Sequence, residues 1–147
     1  MRTQNDLDIR KYVRVAKQRL DEAKLIHDRL QLWAAGQFLA GYAVECMLKA
    51  LILVNTPKSK RPARGRDTVI WMKETFGHDL NRLHAGLRNR RVKIPVDVLG
   101  ELVFLSSDAQ SKWDPEDRYE PGPGNPKEAA RFLKAVEAVL RWADRGI

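Results

Sequence analysis

Phe38 to Val54 is the stretch that most restricts what this chain can become. It is apolar almost all the way round, and Glu45 and Lys49 are its only charges. A helix that is apolar on every face is a buried central helix rather than a surface one. A membrane span needs roughly 20 apolar residues, and this run is shorter and doubly charged. Glu45 and Lys49 stand four positions apart with the acid first, the favourable order for a pair on one helical turn. Burying either charge alone is very costly. The two are therefore expected on one edge of the helix, paired with each other or facing a groove.

The remaining segments supply helices to surround that one. Ile9, Val13, Ala16, Leu20, Ala23, His27 and Leu30 repeat at four-three spacing, which predicts a long first helix from about Asn5 to Trp33. His27 on that stripe reads as a semi-buried residue rather than a ligand. Gly36 is expected to end the helix, and the short spacer to Phe38 predicts an antiparallel helical hairpin. Val69, Ile70, Met72 and Phe76 mark a short helix. Gly77 then breaks the chain, and His78 or Asp79 caps a helix carrying Leu80, Leu83 and Leu87. Pro95 opens another helix, with Val96, Leu99, Leu102, Val103 and either Leu105 or Phe104 on its expected buried side. Asn125, Pro126 and Glu128 form a strong start for the last helix, whose Ala129, Leu133, Val136, Leu140 and Ala143 keep the four-three spacing. Nothing alternates in the manner of a strand. The expectation is one all-α domain over residues 1–147, an antiparallel up-and-down bundle of four to five helices. The first, second and last helices should make most of its core.

Charge and cysteine count narrow the function classes. The chain has 27 basic against 19 acidic residues, a formal charge of +8, which suits binding to nucleic acid, nucleotides or an acidic partner. Pro57 to Arg66 contains cations, two prolines and a glycine but no acid, and reads as a mobile basic loop. It is either a phosphate-contacting arm or a solvated linker. The single cysteine, Cys46, allows no internal disulfide and no zinc cluster, and favours a reducing compartment. The polar start Met1 to Asp6 lacks the apolar core of a signal peptide, so a cytoplasmic location is expected, with no membrane association. The acids between Lys112 and Asn125 do not match a calcium loop. No metal and no cofactor is expected.

Three groups of residues, taken in order, resemble one family. Gly41-Tyr42-Ala43-Val44-Glu45-Cys46-Met47-Leu48-Lys49-Ala50, then Gly77-His78-Asp79-Leu80 with Leu83, then Arg118-Tyr119 ahead of a last helix ending near Trp142, are similar to HEPN domains. These are the helical nucleotide-binding domains named for higher eukaryotes and prokaryotes. The resemblance implies a helical bundle that forms a homodimer. It also implies a nucleotidyltransferase partner, often within a toxin–antitoxin pair, and RNA or nucleotide as ligand. Some members are metal-independent ribonucleases using an arginine, then four to six intervening residues, then a histidine. None of His27, His78 and His84 has an arginine five to seven positions earlier. No catalytic residue is therefore assigned, and the leading expectation is a non-catalytic module. The alternative is a ribonuclease toxin with an altered site. The matching polar residues are Glu45, Lys49, His78, Asp79, Arg118 and Tyr119. They could form a ligand-binding cluster, with Arg118 on a phosphate and Tyr119 for stacking. They could equally be structural, an ion network of Glu45, Lys49 and Arg118 with Asp79 as a helix cap.

Overall fold

In a computed structural model the described residues are 4–62, 65–107, 113–114 and 122–147, and they are all-helical with no strand among them. Six α-helices occur: α1 (Gln4–Leu25), α2 (Trp33–Val54), α3 (Gly65–Thr75), α4 (Leu80–Asn89), α5 (Val96–Ser106) and α6 (Pro126–Arg145). The short α3 is real, one helix beyond the four to five expected. Lys58–Lys60 form a single 3₁₀ turn.

The junction of the first two helices differs from expectation. α1 gives way at Ile26–Leu30 to one π-helical turn, and Gln31 closes it with a left-handed φ of 54°. Trp33 then belongs to α2, which runs 22 residues. Gly36 is inside α2 and buried rather than terminal, because a Cβ there would lie 3.1 Å from the Ala23 carbonyl oxygen. Its role is close helix approach. The longer α2 is also long and apolar enough to cross a bilayer by length and composition, though about two thirds of that stretch is buried inside the protein. No side chain caps its start. Instead the Pro123 carbonyl accepts from Ala34 N at 2.6 Å.

Pairwise contacts fix the helix directions. Lys17 meets Asp144 and Lys24 meets Glu137, so α1 and α6 run antiparallel. Gly36 abuts Ala23 while Cys46 lies beside Tyr12, so α1 and α2 are antiparallel as expected. Gly86 faces Ile52 and Arg90 bonds Thr56, so α4 runs parallel to α2. Gly146 touches Leu51, which brings the end of α6 to the end of α2. The C-termini of α2, α4 and α6 thus share one end of the molecule.

The core is centred on α2, where Val44, Met47, Leu48, Ile52 and Leu53 are fully buried, and α6 contributes Phe132, Val136 and Val139. Packing is densest between α1 and α2, then between α2 and α6 and between α5 and α6. The stripe on α1 is buried at Ile9, Ala16 and Ala23, whereas Leu30 is exposed, because the π turn rotates it away. On α5 the expected buried side is met at Leu102 and Leu105 but not at Val96, Leu99 and Val103. Val98, Leu102 and Leu105 are buried, whereas Val96 is 88% exposed and Leu99 and Val103 also face out. On α3, Met72 is buried, as is Phe76 just past its end, but Val69 and Ile70 are exposed. Thr68 on α3 donates to Asp8 on α1 at 3.1 Å, a buried tie between the two helices.

Candidate functional site

Glu45 is the centre of the site. Its carboxylate is buried, only 4% exposed, halfway along α2. Lys49, one turn on and also buried, donates from Nζ to Glu45 Oε2 at 2.9 Å. The pair forms as its spacing requires. His78 completes it from 33 positions away, with Nδ1 3.0 Å from Oε1 and 3.1 Å from Oε2. The His78 side chain is 56% exposed, so one nitrogen is anchored on a buried acid while the ring faces solvent.

Local chain chemistry puts His78 there. Gly77 has φ 59°, the left-handed conformation that suits glycine, and its N–H bonds the Met72 and Lys73 carbonyls to close α3. Asp79 then caps α4, accepting from Asn81 N at 2.8 Å and Arg82 N at 3.3 Å. His78 is held between a helix stop and a helix start. The capping role expected of Asp79 is therefore filled, and its carboxylate is engaged with backbone donors. Arg118 and Tyr119 lie outside the described residues.

Aromatic groups that the sequence reading did not assign to the site form its wall. Tyr42 sits three positions before Glu45 on the same face of α2, and its ring meets His78 edge-on at 6.3 Å between centroids. Trp113 is buried against Tyr42 and Phe38 and donates from Nε1 to the Phe38 carbonyl at 3.1 Å. Gly41 makes room for it, because any Cβ at position 41 would overlap the Trp113 indole. The Phe38–Tyr42–Glu45–Lys49 spacing is the signal that places these groups on one face. Nothing local marks Trp113.

The electrostatics are those of a partly dry pocket around an acid. Burial first, then Cys46, Asp8 and Glu45, push the Tyr12 phenol up to about 12. Burial and then the Glu45 carboxylate push the Cys46 thiol up to about 11, against the opposing pull of Lys49 and Arg19. Both groups are protonated at neutral pH, and Cys46 is a poor nucleophile there. His27 is semi-buried as expected, with Nδ1 2.8 Å from Asp28 Oδ1 and the ring packed on Trp33, but its buried Nε2 has no hydrogen-bond partner among the described residues. His84 is buried on α4. Burial and then the charge of Arg88 lower its pKa from the ordinary value.

Chemically, the arrangement is a carboxylate that orients an imidazole and neutralises an ammonium. No known family model, no curated protein and no solved structure matches this chain. What the site does must therefore be argued from its own residues.

Proposed function

We propose that the chain is a HEPN-type module, an antiparallel up-and-down helical bundle that dimerises and binds RNA or a nucleotide, or a partner nucleotidyltransferase, in the cytoplasm. It would act without catalysis of its own, as one half of a toxin–antitoxin pair. The observation that carries this reading is the meeting of Glu45, Lys49 and His78, three of the residues behind the resemblance, at one buried carboxylate. An exposed apolar stripe of Val96, Leu99 and Val103 on α5 supports a homodimer, because its three-four spacing makes one continuous face. The excess of basic residues supports an anionic ligand.

The test has three arms. RNA binding should weaken steeply with salt. Leu99→Asp with Val103→Glu should convert a dimer to a monomer in light scattering. Pull-down with a nucleotidyltransferase expressed from a neighbouring gene tests the protein partner. Loss of none of these activities in the relevant variants, or their absence in the unaltered chain, would sink the reading.

One observation favours a second reading, a ribonuclease with an altered site. A buried carboxylate on Nδ1 leaves the other imidazole nitrogen as the proton acceptor, which is how a carboxylate prepares a histidine base. Metal-independent cleavage of RNA, abolished by His78→Ala and by Glu45→Gln, would establish it.

A further inference from the structure

The shared C-terminal end of α2, α4 and α6 carries two clefts of about 550 and 560 Å³. Both are lined by Asn55 and Arg91, so they adjoin. Trp71 stands in the first and Trp142 in the second. Lys60 and Arg90 add charge to the first, and Lys93 and Arg145 to the second. Among the described residues, no acidic side chain lines either cleft.

Cations collect near helix C-termini for a structural reason, since they complement the carbonyl ends. Here that duty is discharged by two of them. Arg61 donates to the Thr56 and Val54 carbonyls, at 2.7 and 3.2 Å, and covers the end of α2. Arg90 donates to Gly86 O at 3.0 Å and to Thr56 Oγ1 at 2.9 Å, and covers the end of α4. Lys60, Arg91, Lys93 and Arg145 make no side-chain hydrogen bond or ion pair among the described residues. An acid-free groove with unpaired cations and two indoles combines a track for phosphates with surfaces on which bases stack. An acidic peptide would use the cations but has no need of the indoles.

We propose that this groove binds a short single-stranded nucleic acid, with phosphates on Arg91, Lys93 and Arg145 and bases stacked on Trp71 and Trp142. It rests on the RNA-binding part of the function proposed above and gives that binding a site of its own. Asn55 lies ten positions beyond Glu45, about 15 Å along α2, so the groove is a different surface from the Glu45–His78 cluster.

The experiment measures binding of a fluorescein-labelled ten-nucleotide oligo(U), and of oligo(dT), against salt and reads tryptophan quenching alongside. Arg91→Asn with Lys93→Gln should weaken binding at least tenfold. The pair should also reduce the slope of log affinity against log salt by about 0.7 for each cation lost. Asn is chosen at position 91 because its φ is 57°, a conformation asparagine tolerates. Trp142→Leu should weaken binding at least about fivefold, with Trp71→Leu similar. Circular dichroism of each variant checks the fold, and the exposed Arg91 and Lys93 pair keeps the test valid should a tryptophan variant misfold. Oligonucleotide binding that survives Arg91→Asn/Lys93→Gln but is lost in His78→Ala would overturn the groove and leave the proposed function standing. Absence of oligonucleotide binding at low salt would overturn the groove and the RNA arm of that function, leaving its dimer, nucleotide and nucleotidyltransferase arms to be tested on their own. A poly-glutamate peptide bound as tightly, with no tryptophan quenching, would also overturn it.

Discussion

The middle of α2 and its C-terminal end lie about 15 Å apart on one helix, and they treat charge in opposite ways. In the middle, one buried acid satisfies two bases, and every partner is within 3.1 Å. At the end, several cations gather with no acid among the described residues that line the clefts. A closed network holds a structure together, because each of its charges depends on the others. Arg90 there covers the end of α4, whereas the side chains of Lys60, Arg91, Lys93 and Arg145 bond nothing among the described residues and are available to something outside the fold. The comparison predicts that changes in the first region act on stability and changes in the second act on binding.

The largest expected effect is Glu45→Ala. It leaves Lys49 buried with no counter-charge, and breaking a buried pair from one side costs about 3–5 kcal/mol. Chemical denaturation should show a large fall in midpoint. Glu45→Leu combined with Lys49→Met, which removes both charges, should recover most of the loss. If Glu45→Ala proved as stable as the parent, the middle of α2 would not be a closed network and the contrast would fail.

Next in size is the alkaline limit. Cys46 is raised from 9.0 to about 11, so the unfolded chain gives up this proton before the folded one does. The sign follows: stability is full below about pH 9 and falls as pH rises towards 11, by about 3 kcal/mol at most for this one group. Tyr12, raised to about 12, extends the loss further. Cys46→Ala should flatten the fall between pH 9 and 11 in denaturation curves, and the parent thiol should react slowly with iodoacetamide at pH 7.5. His84 works at the other limit. Its lowered pKa means that the unfolded chain takes up the proton first, so stability is full above about pH 6.5 and falls on acidification. His84→Leu should remove that slope.

Asp79→Ala should cost about 1 kcal/mol, the usual loss on removing a helix cap. It sharpens the contrast because Asp79 adjoins His78. A loss of stability alone would make Asp79 part of the scaffold that holds His78, whereas a loss of RNA binding with full stability would move it into the ligand site.

These regions differ also in how far the sequence discloses them. The Glu45–Lys49 pair is a local fact of spacing, as are the caps Asp79 and Asn125, whose side chains accept from the backbone as expected. All-helical structure follows from periodicity over long segments. Where apolar residues occupy two faces, periodicity gives no phase: Val96, Val98, Leu99, Leu102 and Val103 allow either side of α5 to face in, and the buried side is the one with Val98 and Leu102. Gly36 illustrates a second limit. A glycine that ends a helix and one that lets two helices touch look the same in sequence, and here contact with Ala23 decides. The approach of His78 to Glu45 spans 33 positions and depends on the direction of α4 along α2. The cationic groove is the extreme case. Its residues come from the ends of three helices, the segments beside them and Trp71 of α3, so no window of sequence holds it.

The smallest expected effect is the most discriminating. Arg91→Asn with Lys93→Gln should change stability by less than about 0.5 kcal/mol, because neither side chain has a partner to lose among the described residues and both are exposed. Removing two of several neighbouring like charges relieves repulsion, so any change should be towards greater stability, and the gain should shrink as salt screens it. The same variant is the one expected to lose oligonucleotide binding. A substitution that leaves the melting curve in place and abolishes binding separates the open end of α2 from its closed middle. A large destabilisation would instead show that these cations are tied into the fold, and the groove would then belong with the Glu45 network.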